Sequence, residues 1–302
     1  MANLKALLKK TQGWGKLQHF FCQPEQNIAW PAGHFYSPIP SIWDIRENEE
    51  KIFSEYTENI QGINLNVGGQ LALLQKLGKY YNESPFRKSK TSGIRYYGDN
   101  TRFILSDAVT LYSMIRHYKP RKIIEIGSGF SSCVSLDTNE QFFDNSIECI
   151  FIEPYPDLLY SLLKQDDRKR LCILPQNLQT IHDLTMFEKL EADDILFLDS
   201  SHVAKTNSDV NHFFFNILPI LNSGVIIHIH DIFYPFEYLK EWLYEGRSWN
   251  EAYLLRSFLQ YNDAFEIIFF NSYLHTFHAD KLTKYLPICT QSPGSNFWMR
   301  KK

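Results

Sequence analysis

Five short apolar runs constrain this chain more than any other feature: KIIEIG (122–127), CIFIEP (149–154), CILPQN (172–177), ILFLDS (195–200) and GVIIHIHD (224–231). Between them lie segments with helical spacing, such as DLLYSLLKQDDRK and DVNHFFFNILPIL. Strands buried on both faces read as unbroken apolar runs, and such runs alternating with helices predict a parallel, doubly wound α/β sheet. A helix-like SDAVTLYSMIRHY, stopped by Pro120, leads into the first run. After Asp231 the order changes: two helical segments precede FEIIFFNSY, and the terminal SNFWMRKK can return antiparallel beside it. The expectation is a mostly parallel seven-stranded sheet with an antiparallel C-terminal pair.

The N-terminal part reads differently. Pro24, Pro31, Pro38 and Pro40 interrupt its first stretch, helices are predicted in DIRENEEKIFSEYTENI and VGGQLALLQKLGKYY, and the polar NESPFRKSKTSG suits a linker. Residues 1–95 are therefore expected to form an extension that caps the sheet's carboxyl edge, and residues 96–302 the ligand-binding domain. A net charge of -3 and the lack of a long basic run argue against nucleic acid as partner. Cys22, Cys133, Cys149, Cys172 and Cys289 are scattered, with neither zinc spacing nor a disulfide framework, which fits a reducing cytoplasm. The N-terminus is too polar for a signal peptide and the apolar runs are too short for a membrane span, so a cytoplasmic protein is expected. How many chains assemble stays open.

Ligands of open α/β sheets bind at the carboxyl ends of the strands, near the switch in strand order. Gly127 and Gly129 stand at such an end: Gly127 can adopt backbone angles closed to other residues, and Gly129 lets a ligand lie against the main chain. Ser132 replaces the third glycine of a dinucleotide fingerprint, which disfavours a bound pyrophosphate and with it a nicotinamide oxidoreductase. Glu153 ends the next strand, where an acidic residue commonly holds the hydroxyls of an adenosine ribose. Glu125 lies inside a doubly buried strand and needs a partner, either a ligand ammonium or a neighbouring backbone or arginine donor.

The series EIGSG, FIEP, ILFLDSSH and VIIHIHD, from about Asp99 to the C-terminus, resembles the class I S-adenosylmethionine-dependent methyltransferases. FEIIFFNSY and SNFWMRK are similar to the antiparallel hairpin that ends that fold, and GHFYSPIPS, LDSSHV and HIHDIFYPFEY resemble a bacterial branch of uncharacterised methyltransferases. The resemblance implies that Gly127, Ser128 and Gly129 bracket the methionine part of S-adenosylmethionine, Glu153 the ribose and the loop around Gln179 the adenine, with Asp199 and Ser200 at the next strand end. It also implies methyl transfer to a small-molecule acceptor, expected to be an oxygen of a sugar, polyol or natural-product intermediate. A non-catalytic sensor or partner subunit that binds the same ligand is the alternative.

Candidates for the acceptor chemistry are Asp199, Ser200, Ser201 and His202 after one strand, and His230 and Asp231 after the next. In one reading Asp199 and Asp231 hold a divalent cation, as the resemblance to catechol-type and sugar O-methyltransferases implies. The Asn that follows the second Asp in those families is Ile232 here; a set of Asp199, His230 and Asp231 would favour a transition metal. In the other reading His202 or His230 is the general base. His228 reads as a packed histidine, His275 and His278 as a solvated connection, and Lys205 and Asp209 as surface or capping residues. Trp249, Tyr253 and Arg256 share a helix face that could be core or substrate wall, and Tyr97, Asn100, Phe35 and Tyr36 are weaker pocket candidates.

Overall fold

In the computed structural model, which describes residues 29–54, 56–292 and 294–302, all five apolar runs are parallel strands. They are β1 (Lys122–Ile126), β2 (Glu148–Ile152), β3 (Cys172–Leu174), β4 (Ile195–Leu198) and β5 (Ile226–Ile229). With β6 (Phe265–Phe270) and β7 (Phe297–Lys301) they form one sheet in the order β3-β2-β1-β4-β5-β7-β6. β7 runs antiparallel to both neighbours, with an irregularity between Ile267 and Phe269 where the β6 pairing shifts. Every residue of β4 and β5 is buried, which explains why these strands lack polar alternation.

Strand order reverses between β1 and β4, and the chain leaves these two strands toward opposite edges of the sheet. A crevice at their carboxyl ends follows from that topology. Gly127 is bare first of all because the sheet requires it. Its φ is +77°, and a Cβ there would lie 1.9 Å from the carbonyl oxygen of Asp199, which continues β4 beside β1. The Asp199 amide donates to Ile126 O at 2.8 Å and the His230 amide to Leu198 O at 2.9 Å, so the ladder carries each functional loop one residue past its strand.

The longer helices are α1 (Val67–Leu77), α2 (Leu105–Tyr118), α3 (Phe130–Phe142) and α4 (Glu251–Leu259). The chain divides into two compact units, Met1–Ser54 and Glu55–Lys302, so residues 56–95, which the sequence grouped with the extension, pack inside the larger unit. Asn66 donates to Ile267 O at 2.9 Å, and Gln70 Oε1 accepts from the Phe270 amide at 2.8 Å, which anchors α1 on β6. The smaller unit carries two short helices, Ile42–Glu47 and Glu49–Phe53, and exposed rings that include Phe35 and Tyr36. Pro24 and Cys22 lie outside the described residues. No helix among the described residues is long and apolar enough to cross a membrane.

Candidate active site

Two cavities open at the carboxyl ends of the strands, one of about 340 Å³ and one of about 920 Å³. Gly127, Glu153, Asp199, Ser200 and Ser201 line both, so a single ligand could pass from one into the other. Gln179 lines the smaller cavity, whereas Ser128 and Gly129 line the larger. Glu153 is fixed by two backbone amides: Ser128 donates to Oε2 at 3.1 Å and Tyr155 to Oε1 at 2.8 Å. Each oxygen keeps a lone pair for a further donor.

Glu125 lies behind this surface and lines neither cavity. Its Oε1 accepts the hydroxyls of Ser131 at 2.6 Å and Ser132 at 2.9 Å, so local hydroxyls supply the partner that the sequence left open. Oε2 is buried with no partner among the described residues. Burial pushes the carboxyl up to about 8, against the two serine hydrogen bonds and with help from the Asp199 and Glu153 charges. A pKa raised on folding means that the native state holds the proton through the window from about 4.5 to about 8, so stability declines as pH rises across it. Glu125→Gln, neutral at every pH, is expected to flatten that decline and to be the more stable protein at the alkaline end. Thermal unfolding at a series of pH values measures it; an unchanged slope would refute the assignment.

The centre of the larger cavity is built around His202. Its Nδ1 lies 2.9 Å from Glu251 Oε2, while Nε2 lies 3.3 Å from Asp199 Oδ1 and 3.7 Å from Asp231 Oδ2. Ser200 Oγ donates to Glu251 at 2.9 Å and accepts the His202 amide at 2.8 Å. Asp209 holds the neighbouring Ser201 through its amide and hydroxyl, at 2.7 and 2.6 Å, so it organises this loop as well as starting a helix. Trp249 covers one side of the imidazole, with ring centroids 4.3 Å apart. His202 and Asp231 both have left-handed backbone, with φ of 60° and 56°, a conformation that costs about 1–3 kcal/mol per residue and concentrates at functional sites.

Burial alone would lower the pKa of His202, yet the hydrogen bonds and charges of Asp199 and Glu251 carry it well above the ordinary imidazole range. Asp199 is held below the usual carboxylate range: burial opposes this, but the His202 hydrogen bond and the His230 charge prevail. Ligand-capable atoms of Asp199, His202 and Asp231 lie within 4.8 Å of one another. The histidine in that group is His202, where the sequence reading put His230. His230 Nε2 lies 3.7 Å from Asp231 Oδ1 and meets Ser295 Oγ at 3.1 Å, while its Nδ1 meets His228 Nε2 at 3.3 Å. Ser295 in turn donates its amide to the buried Asp107, whose carboxyl burial raises to about 6.

Among the weaker candidates, Trp249 lines the cavity, while Tyr253 and Arg256 do not: Tyr253 donates its hydroxyl to Glu237 and packs on Tyr238, and Arg256 is exposed. Asn100 and Tyr97 brace the strap that carries Arg102 and Phe103 to the cavity. His275 sits on a helix, 3.4 Å from Thr290 O, rather than in a solvated connection. Glu251, Asp107, Arg102, Trp242, Arg247 and Ser295 were not foreseen. For Glu251 the sequence does hold a signal, because it falls on the stripe Glu251, Leu255, Leu259 at intervals of four that α4 buries.

A family model described as a methyltransferase domain matches residues 124–232, which span β1 to the loop after β5. An uncharacterized protein of Archaeoglobus fulgidus is 41% identical over 179 residues, covering 57% of this chain and 78% of that one. Among solved structures, an SAH-bound Podospora anserina methyltransferase aligns with 76% of this chain and 88% of its own, at 13% identity and a TM-score of 0.42. A Bacillus cereus O-methyltransferase in complex with SAH covers 87% of this chain and 100% of its own, at 12% identity and a TM-score of 0.41.

Proposed function

From the premise that this chain belongs to the methyltransferase-domain family, we propose that it transfers a methyl group from S-adenosylmethionine to a hydroxyl of a small-molecule acceptor. The observation that carries this reading is the convergence of His202 Nε2 with the carboxylates of Asp199 and Asp231, at the point where the two cavities meet. In this reading Glu153 receives the ribose hydroxyls with oxygens already oriented by two amides, and Gln179 and its neighbours flank the base. The carboxylates of Glu153 and Asp199 beside the turn give it a negative field suited to a cationic donor.

The donor supplies an electrophilic methyl group, so the protein's part is alignment, exclusion of water and removal of the acceptor's proton. The three carboxylates around His202 raise its pKa well above the ordinary imidazole range, which disfavours the neutral form a free base would need. That favours a divalent cation held by Asp199, His202 and Asp231 over His202 as a free base. Such a cation would lower the pKa of an acceptor hydroxyl and orient it. Glu251, by accepting from Nδ1, leaves Nε2 as the ligand atom, the arrangement in which a carboxylate fixes the tautomer of a metal-binding histidine. Isothermal titration with S-adenosylhomocysteine, then with Mn²⁺, tests both parts. Saturable binding of each, with ion binding lost in Asp199→Ala, is expected. Failure of S-adenosylhomocysteine to bind at millimolar concentration would remove the reading, whereas binding of NADH alone would point to an oxidoreductase.

A further inference from the structure

Among the described residues, four carboxylates line the larger cavity, those of Asp107, Glu153, Asp199 and Asp231, with two arginines and no lysine. Arg247 is already engaged: its guanidinium pairs with Glu245 at 2.9 Å and lies 4.5 Å from the Trp242 ring and 5.1 Å from the Trp249 ring. Arg102 is different. Its guanidinium has no ion pair among the described residues, and its charge reaches Asp199, which it helps to hold ionised.

The backbone beneath Arg102 is nonetheless fixed. Asn100 Oδ1 accepts the amides of Arg102 at 3.0 Å and Phe103 at 2.7 Å, and its Nδ2 donates to Tyr97 O and Phe103 O. Tyr96 donates its hydroxyl to the same Phe103 carbonyl at 2.8 Å, and the buried Phe103 ring packs 5.1 Å from His230. A strap braced this closely brings Arg102, without an ion pair among the described residues, to a cavity whose lining also includes Phe233, Leu239 and Trp242.

We infer that the acceptor is an oxyanion-bearing alcohol or phenol, its carboxylate or phosphate held by Arg102 and its apolar body lying against Phe233, Leu239 and Trp242. The inference rests on the methyltransferase reading above and names the substrate class for the same site. Of the positive groups in this cavity, His202 is engaged by three carboxylates and Arg247 by Glu245, which leaves Arg102 to receive an anion, and a guanidinium matches carboxylate and phosphate geometry with two parallel hydrogen bonds.

The test uses the full chain. S-adenosylhomocysteine is titrated first into wild type and Arg102→Gln, and Arg102 is exposed, so the variant is expected to fold. The saturated proteins are then titrated with 4-hydroxybenzoate, 4-hydroxyphenyl phosphate and the neutral 4-hydroxybenzamide. Wild type is expected to bind at least one of the two anions about ten-fold or more tighter than the amide, and Arg102→Gln to lose that preference while keeping its affinity for S-adenosylhomocysteine. The arm that binds distinguishes carboxylate from phosphate. Equal binding of anions and amide, no binding of either anion at millimolar concentration, or a preference that survives in Arg102→Gln would overturn the inference with the methyltransferase reading intact. A parallel loss of S-adenosylhomocysteine affinity in the variant would assign Arg102 to the donor's own carboxylate, and also overturn it. Failure in the first titration, before any phenol is added, removes the methyltransferase reading and this inference together.

Discussion

His202→Ala is expected to lower kcat at least about 100-fold while leaving affinity for S-adenosylhomocysteine within about three-fold of wild type. The substitution removes Nε2 from its position between Asp199 and Asp231 and leaves Glu251 buried with Ser200 as its remaining side-chain partner. The residues proposed to meet the donor, Glu153 and the Gly127–Gly129 turn, take their support from β1 and β2 and not from His202. Glu251→Gln keeps the shape of the site and alters only the group that orients the imidazole. It should weaken Mn²⁺ by about 10–100-fold, the usual cost of removing such a support. The proton and the cation compete for one nitrogen, so Mn²⁺ binding should tighten as pH rises through the elevated His202 titration. Ion binding followed by Mn²⁺ paramagnetic resonance across pH, beside steady-state kinetics, measures all of this. If His202→Ala bound Mn²⁺ and turned over as wild type does, the site would have to be rebuilt around other residues.

The sheet was legible because burial on both faces leaves a continuous apolar signature, and every predicted run became a strand of the expected sense. Strand ends then located Gly127, Glu153, Asp199 and Asp231 from spacing alone. What the sequence could not supply was which loops fold back. Glu251 is 49 positions from His202 and reaches it only because the Asn250 and Glu251 amides both donate to His202 O, which folds the start of α4 onto the β4 loop. His230 and His202 looked equivalent in one dimension. Ser295, delivered by the approach to β7, engages His230, and this long-range contact separates the two. For Gly127 the sequence suggests freedom of backbone angle, and its φ of +77° and the nearby Asp199 carbonyl agree with that reading. The boundary near residue 95 was drawn on a polar stretch, but polarity reports exposure and not connectivity, and Arg95 just beyond that stretch is among the most firmly tied residues of the larger unit.

That residue carries the other large effect. Arg95→Met is expected to destabilise the larger unit by about 3–5 kcal/mol at neutral pH, because it strands buried carboxylates without their cation. The guanidinium pairs with Asp137 at 2.7 Å, Glu140 at 2.8 Å and Asp167 at 2.6 Å, and the side chains of Arg95, Asp137 and Asp167 are almost wholly buried. Burial raises Asp137 even beside Arg95, whereas the Arg95 hydrogen bonds overcome burial at Asp167 and hold it below its ordinary value, so the pH-dependent stabilisation is that of Asp167. A depressed carboxyl contributes stability above its unfolded pKa, and that contribution is lost as pH falls through the folded one. The gap between wild type and Arg95→Met should therefore be widest at neutral pH and narrow below about pH 4, where unpaired Asp137 and Asp167 can take up protons. Urea unfolding at both pH values measures it; a gap under about 1 kcal/mol, or one indifferent to pH, would show the network to be incidental. The same network bears on function, because Asp137 Oδ2 accepts the amides of Arg95 and Tyr96, and Tyr96 holds Phe103. Loosening it frees the strap that presents Arg102, so any Arg95→Met protein that remains folded should discriminate poorly between anionic and neutral phenols while still binding S-adenosylhomocysteine.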